Sequence, residues 1–152
     1  MSDRGGGWVV VQLVLMAGIV VALFLPPRWP DSARTPLATA GAVLAVAGVG
    51  VAAYAGLSLG RWLTPFPRPA VGAELVVKGP YRFVRHPFYA GGLLFFCGLS
   101  LIGSVSALGG TGALALLWAL KSRVEERHLL ARFPAYADYA ARVRWRLVPG
   151  VY

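Results

Sequence analysis

The chain has 152 residues, of which 57% are hydrophobic and only 14% are charged, whereas a soluble domain carries about 25% charged residues. A fold of this size cannot remove so many apolar side chains from water, so the composition excludes a soluble globular class and predicts an integral membrane protein. The formal net charge of +9 does not indicate nucleic-acid binding, because the basic residues flank the apolar runs, where membrane topology and anionic lipid account for them.

The first two apolar runs each predict a transmembrane helix, because a span needs roughly 20 apolar residues. The first covers about residues 8–25. The chain after Leu25 offers no small-x-small cleavage pattern, so a retained span is favoured over a cleaved signal peptide. The second covers about residues 37–60 and repeats glycine and alanine at near-four-residue spacing. Small residues let helix backbones approach closely, which predicts that this helix is central in the bundle.

Proline and glycine interrupt the chain between Arg61 and Pro80, which rules out a continuous helix there. Irregular backbone at the membrane face needs water or protein around it. Pro87 then suits the first turn of the next helix, where its missing N–H has no helical partner in any case.

The stretch of residues 88–120 carries no charge and is too long for one span. It predicts a hairpin of two transmembrane helices, about residues 87–103 and 105–121. The turn is expected between Gly103 and Gly112, where glycines are frequent.

The last part of the chain, residues 122–152, is predicted to be a cytoplasmic segment. No proline or glycine occurs from Leu114 to Phe133, so the fourth helix should continue out of the membrane. Pro134 should end it, and a short helix should follow at about residues 135–143. The predicted fold is therefore a single all-α domain, an integral membrane bundle of about four transmembrane helices with a cytoplasmic C-terminal helical extension.

The distribution of basic residues predicts the orientation of this bundle. Thirteen of the fifteen Lys and Arg residues lie before the first span, between the second and third, or after the fourth. The other two, Arg28 and Arg34, lie between the first and second spans, and Arg4 is the basic residue before the first. The positive-inside rule then places both termini in the cytoplasm.

Polar side chains gather in two clusters that the predicted hairpin brings together. The first cluster precedes the third span and the second follows the fourth; their chemically distinctive members are Arg85, His86 and Tyr89, and Lys121, Glu125 and Glu126. Each residue alone has an ordinary explanation, since arginine can snorkel, tyrosine can join an aromatic belt and glutamate can pair with nearby cations. Together they are unusual, because the two glutamates form the only acidic pair near the end of a span.

Such a cluster suits a sulfonium amino acid, which needs a carboxylate for its ammonium, donors for its carboxylate and aromatic faces for its adenine. Lys121 lies one turn before Glu125, one step nearer the lipid, and can hold an anionic group of an amphiphilic substrate. No metal is predicted, because Glu125 and His128 have the Glu-x-x-His spacing of di-iron bundles but no second set exists. Cys97 is the only cysteine, so no disulfide forms within the chain.

Two motifs resemble the isoprenylcysteine carboxyl methyltransferase and phospholipid methyltransferase superfamily. The run from Glu74 to Gly91 is similar to its signature, Gly-Pro-Tyr followed by Arg-His-Pro-x-Tyr-x-Gly. The second motif has the matching residues Glu125, Glu126, Leu129, Phe133, Tyr136, Tyr139 and Pro149. The resemblance covers about residues 35–152. It departs from the family at Pro134, where glycine usually follows the phenylalanine, and this departure concerns the C-terminal turn rather than the cofactor site.

The resemblance implies a membrane-embedded S-adenosylmethionine site formed by the last two spans and the C-terminal segment. The residues that it implies around the cofactor are Tyr81, His86, Pro87, Phe88 and Tyr89. It implies that Glu125 binds the cofactor with Glu126 beside it. Arg85 would lie at the reaction centre, and Lys121 would take the place of a basic residue that contacts the substrate.

The expected reaction makes few demands on the protein. The methyl group of a sulfonium is already activated, so alignment and exclusion of water are the main requirements. A carboxylate acceptor needs no base, and Arg85 would orient it. An amine acceptor needs a proton acceptor, for which Glu126 and His86 are the candidates. The sequence leaves both acceptors open, and in either case an amphiphilic or lipid-like molecule is expected to enter from the bilayer.

Three other functions compete with a methyltransferase. An NADPH-dependent membrane reductase of a related fold would need more basic contacts for its phosphates, and the paired glutamates suit a cationic cofactor better. A transporter of the small multidrug type would need a carboxylate within a span, but the acidic residues lie outside the apolar runs. A non-catalytic membrane scaffold does not account for the two polar clusters.

Overall fold

The computed structural model describes residues 5–151, and Arg4, which entered the topology prediction, lies outside them. The described residues are helical and contain no strand. The α-helices are α1 (Gly6–Ala22), α2 (Asp31–Leu59), α3 (Pro87–Gly103), α4 (Val105–Arg132) and α5 (Tyr136–Arg142), and two 3-10 turns lie at Gly60–Trp62 and Gly79–Arg82. The all-helical prediction is confirmed.

Two of these helices are long and apolar enough to cross a bilayer, namely α2 with its 3-10 extension and α4. The other two apolar helices, α1 and α3, have 17 residues each. At about 1.5 Å per residue, 17 residues reach roughly 25 Å, close to the thickness of a hydrocarbon core.

The helical hairpin of α3 and α4 is confirmed, but its turn is shorter than predicted. A single residue, Ser104, separates the two helices, and the expected turn region up to Gly112 belongs to α4. The Ser104 hydroxyl accepts a hydrogen bond from the Ala107 N–H and donates one to the carbonyl of Ala22. This capping interaction starts α4 immediately and also joins the hairpin to α1.

Helix α2 packs very closely against α3, as its small residues predict. A Cβ atom added at Gly91 would lie 2.5 Å from the backbone nitrogen of Ala52, and one added at Gly41 would lie 2.5 Å from the carbonyl oxygen of Gly98. The prediction that α2 is central is wrong. It packs mainly on α3, and its outer face leaves Val46 73% exposed. The order of packing is α2, α3, α4 and α1, so α3 and α4 form the middle.

Helix α4 continues as one helix to Arg132, and the short helix α5 follows Pro134, in agreement with the predicted helix bounds. The chain after α5 then returns to the start of α3. The backbone N–H groups of Arg85 and His86 donate to the carbonyl oxygens of Trp145 and Arg146 at 2.9 and 2.8 Å. These bonds fix the residues before α3 against the C-terminal segment.

Candidate functional site

The two polar clusters meet around the imidazole of His86. This residue occupies the N-cap position of α3, directly before Pro87, and its side chain is buried. Its Nδ1 lies 3.3 Å from Oε2 of Glu125, and its Nε2 lies 3.3 Å from Oε1 of Glu126. The glutamates lie at the end of α4 nearest the start of α3 because the tight hairpin aligns those two ends. The predicted neighbourhood is therefore present.

The charge on His86 follows from these contacts. Burial alone would lower the pKa of the imidazole, but hydrogen bonds to Glu125 and Glu126 and their negative charges outweigh burial, so the pKa of His86 is raised. Both ring nitrogens face carboxylate oxygens, which is the arrangement of an imidazolium that donates at both positions.

Glu126 is the anionic centre of a buried ion cluster. Besides His86, the Nε of Arg85 lies 3.2 Å from its Oε1, and the Nε of Arg146 donates to its Oε2 at 3.0 Å. The side chain of Glu126 is only 7% exposed. Because three cationic side chains occupy this carboxylate, it has little capacity left to take a proton from a substrate.

Glu125 is adjacent in sequence but has different surroundings. Its carboxylate accepts a hydrogen bond from the Tyr89 hydroxyl and contacts His86. The Tyr89 ring stacks between His86 and Trp118, with ring centroids 5.7 and 5.2 Å away. Unlike Glu126, Glu125 lines the cavity described next.

The cavity has a volume of about 160 Å³ and lies between the chain that follows α2, the start of α3, the end of α4 and helix α5. Most of its wall is apolar or aromatic. Of the predicted cofactor residues, Tyr81, His86, Phe88, Tyr89 and Glu125 line it. Pro87 is fully buried at the first position of α3 and serves to start that helix instead.

Arg85, predicted at the reaction centre, also lines the cavity. Its Nε faces Glu126 without hydrogen-bond geometry, and its terminal nitrogen donates to the carbonyl of Arg144 at 3.3 Å. The guanidinium therefore joins the ion cluster, the C-terminal segment and the cavity wall.

Lys121, predicted to contact substrate, is fully buried and does not line the cavity. Its ammonium donates to the side-chain oxygen of Gln12 and to the carbonyl of Pro65, each at 2.8 Å, and lies 5.4 Å from the ring centre of Tyr89. The Gln12 oxygen also accepts a bond from Trp118 at 3.0 Å. Lys121 thus ties the chain after α2 to α1 and α4.

Two residues that line the cavity, Tyr136 and Glu74, belong to the two sequence motifs but had no predicted role. Tyr136 on α5 is 2% exposed, and its hydroxyl has no hydrogen-bond partner among the described residues. Burial raises the pKa of this phenol, which keeps it neutral. Glu74 also lines the cavity and is exposed. The Tyr139 hydroxyl donates a hydrogen bond to the Tyr81 carbonyl at 2.7 Å, which holds α5 against the cavity.

The sequence analysis missed the contributions of Gln12 and Arg146. Gln12 is the single polar side chain of α1 and could have been singled out on that ground, since polar residues inside apolar spans are costly. Arg146 lies in an irregular segment far along the chain, and no spacing rule connects it with Glu126.

Comparisons with known proteins agree with the motifs. The profile of the phospholipid methyltransferase family matches residues 37–135. The cobalt-zinc-cadmium resistance protein CzcN of Cupriavidus metallidurans is 34% identical over 144 residues, which cover 91% of this chain and 61% of that protein. The Delta(14)-sterol reductase TM7SF2 of Mus musculus is 37% identical over 90 residues, 55% of this chain and 21% of the reductase. The chain therefore spans only part of the length of either relative.

Proposed function

Since this chain belongs to the phospholipid methyltransferase family, within the isoprenylcysteine carboxyl methyltransferase-like superfamily of membrane methyltransferases, we propose that it transfers a methyl group from S-adenosylmethionine to an amphiphilic or lipid-like acceptor. Membership of this family supports a membrane methyltransferase. The identity of the cofactor, the class of acceptor and the membrane topology are our proposals. The observation that carries it is the carboxylate of Glu125 at the wall of an aromatic cavity, held by His86 and Tyr89.

The residues around the cavity fit the proposed cofactor. Glu125 would bind its ammonium, and the guanidinium of Arg85 with the imidazolium of His86 would face its carboxylate. The unpartnered hydroxyl of Tyr136 is a buried polar group whose hydrogen bond a ligand can complete. Tyr81 and Phe88 offer aromatic faces to adenine. When bound, S-adenosylmethionine supplies an activated methyl group on a sulfonium.

The protein's own contribution is to hold the reactants and exclude water. For a carboxylate acceptor, Arg85 would orient the anion and no base is needed. For an amine acceptor, Glu126 and His86 are poor bases, because the first is bound by three cations and the second is held protonated. Glu74 is then the better candidate, because its exposed carboxylate lines the same cavity.

We propose for Lys121 a role other than the substrate contact that the resemblance implies. A buried ammonium bonded to Gln12 and the Pro65 carbonyl positions the chain over the cavity, and it does so through protein groups alone. We therefore propose that Lys121 supports the cavity wall.

The proposed topology has α1 to α4 as four spans with both termini in the cytoplasm. Support comes from the apolar length of α2 and α4, the shorter apolar helices α1 and α3, and the basic residues on one side of the bundle. The cavity then lies at the cytoplasmic surface, where an acceptor from the bilayer and a water-soluble cofactor can both reach it.

A second candidate function, an NADPH-dependent reductase, is favoured by the partial similarity to a sterol reductase. A dinucleotide with several phosphates would need cations in the cavity. Among the described residues, Arg85 and His86 are the cations that line it, which matches one carboxylate group but is too few for several phosphates. This arrangement favours the methyltransferase.

Calorimetric titration of the purified protein in detergent tests the proposal. Wild-type protein is expected to bind S-adenosylmethionine and not NADPH. Glu125→Gln keeps the shape but removes the charge, and should weaken binding by about 10- to 100-fold, the usual cost of losing a charged hydrogen bond. Asp138→Asn, an exposed acidic residue of α5, is the control and should bind like wild type. Saturable NADPH binding without S-adenosylmethionine binding would overturn the proposal in favour of a reductase.

A further inference from the structure

A second concave surface lies on the other face of α4, and it is basic. Its α4 residues are Leu120, Arg123, Val124, Glu126, Arg127 and Leu130, and Trp8 of α1 and Arg146 complete it. Most of these α4 residues are spaced by three or four, which places them along one face of the helix. Glu125, Leu129 and Phe133 follow another face and line the cavity. We call this second surface the arginine groove.

The charge of the arginine groove is strongly positive. Arg123 and Arg127 are exposed, and the side chain of Arg146 is 29% exposed. Among the described residues of its wall, the acidic one is Glu126, whose carboxylate contacts Arg85, Arg146 and His86. An anion in the groove therefore meets three guanidinium groups, which are well suited to phosphate oxygens.

The groove is also amphipathic. Leu120 is 43% exposed and Leu130 51% exposed, and the half-buried indole of Trp8 forms part of the wall. Apolar α4 residues precede it in the chain, with Leu116 62% exposed one turn before Leu120. The groove thus lies where α4 changes from apolar to charged, the depth at which a lipid phosphate lies beside its acyl chains.

We propose that the arginine groove binds the phosphate headgroup of an anionic membrane phospholipid, with the acyl chains along the apolar part of α4. The groove favours a lipid over a free phosphate because it joins its cations to an exposed apolar surface. It favours an anionic lipid over a zwitterionic one because the one carboxylate in its described wall, that of Glu126, is already in contact with three cations. The site is separate from the cavity and does not depend on the proposed reaction.

Native mass spectrometry of the delipidated protein tests this site by counting bound lipids. Titration with phosphatidylglycerol should give one adduct at least about fivefold tighter than with phosphatidylcholine, because each arginine near a lipid phosphate contributes favourably. The double variant Arg123→Gln/Arg127→Gln should lose that preference. The matched control, Arg28→Gln/Arg34→Gln, changes two exposed arginines near the opposite end of the bundle and should keep it.

Four results would overturn the proposal. The double variant could retain the preference for phosphatidylglycerol, or wild type could bind both lipids equally. Inorganic phosphate at millimolar concentration could displace the lipid completely, which would show a simple anion site. The same spectra would reveal a dimer, and a dimer that forms only without lipid and is abolished by the double variant would assign the groove to a second copy of the chain.

Discussion

The two faces of α3 are joined to their neighbours by opposite kinds of interaction. On the α2 side, glycines place backbone against backbone, and no charge is involved. On the α4 side, at the N-terminal end of α3, charged and aromatic side chains meet around Glu126 and His86. The stability of the α2–α3 contact should fall when a substitution adds side-chain volume, and it should hardly depend on charge or pH. The α3–α4 contact should respond to charge and pH, because its stability depends on the ionisation of a few buried groups.

The largest expected effect comes from the charged contact. Glu126→Ala would leave Arg85, His86 and Arg146 without their shared anion, and breaking a buried ion cluster in this way costs about 3–5 kcal/mol of unfolding free energy. Chemical denaturation in detergent measures the loss. Asp138→Asn serves as a control for removing an exposed carboxylate and should be neutral. A loss under about 1 kcal/mol for Glu126→Ala would contradict the importance assigned to the cluster.

A smaller loss is expected at the backbone contact, and here two neighbouring glycines provide a matched pair. A Cβ added at Gly48 would meet the backbone of Phe95 and Gly91, whereas one added at Gly50 would meet nothing within 4 Å. Gly48→Ala should therefore force α2 and α3 apart and cost about 1–3 kcal/mol. Gly50→Ala should cost nothing. The thermal unfolding midpoints of the two variants test this prediction, and Gly48→Ala should have the lower one. Equal midpoints would show that α2 and α3 do not pack this closely.

The same contrast explains what the sequence could predict. Helix bounds depend on local pattern, so both ends of α3, the start of α4 and the break between α4 and α5 agree with the predicted segments. Residue 121 is not a helix end, because α4 continues to Arg132. The small residues of α2 correctly predicted a close contact, but such a stripe does not say how many neighbours a helix has. That is why the central position expected for α2 was wrong.

The site shows a similar division between local and distant information. Contiguous motifs brought His86, Tyr89 and Glu125 together as predicted. The buried position of Lys121 depends on Gln12 and Pro65, which lie far away in the chain. The sequence also could not predict that the cations surround Glu126 while Glu125 lines the cavity. Adjacent residues on a helix face different directions, and only the packing shows which of the two carboxylates the cations contact.

The smallest expected effect is a pH dependence confined to the charged contact. The pKa of His86 is raised in the folded protein, so its contribution to stability is complete below the unfolded value of about 6.5 and is lost as pH rises through the folded-state pKa. The thermal midpoint of wild type should therefore fall as the pH is raised from about 6 to 9. His86→Gln should flatten this fall, while His128→Gln, outside the cluster, and Gly48→Ala should keep it. A wild-type midpoint that rises over this range would mean that folding favours the neutral imidazole, and the carboxylates would then not hold His86 as a cation.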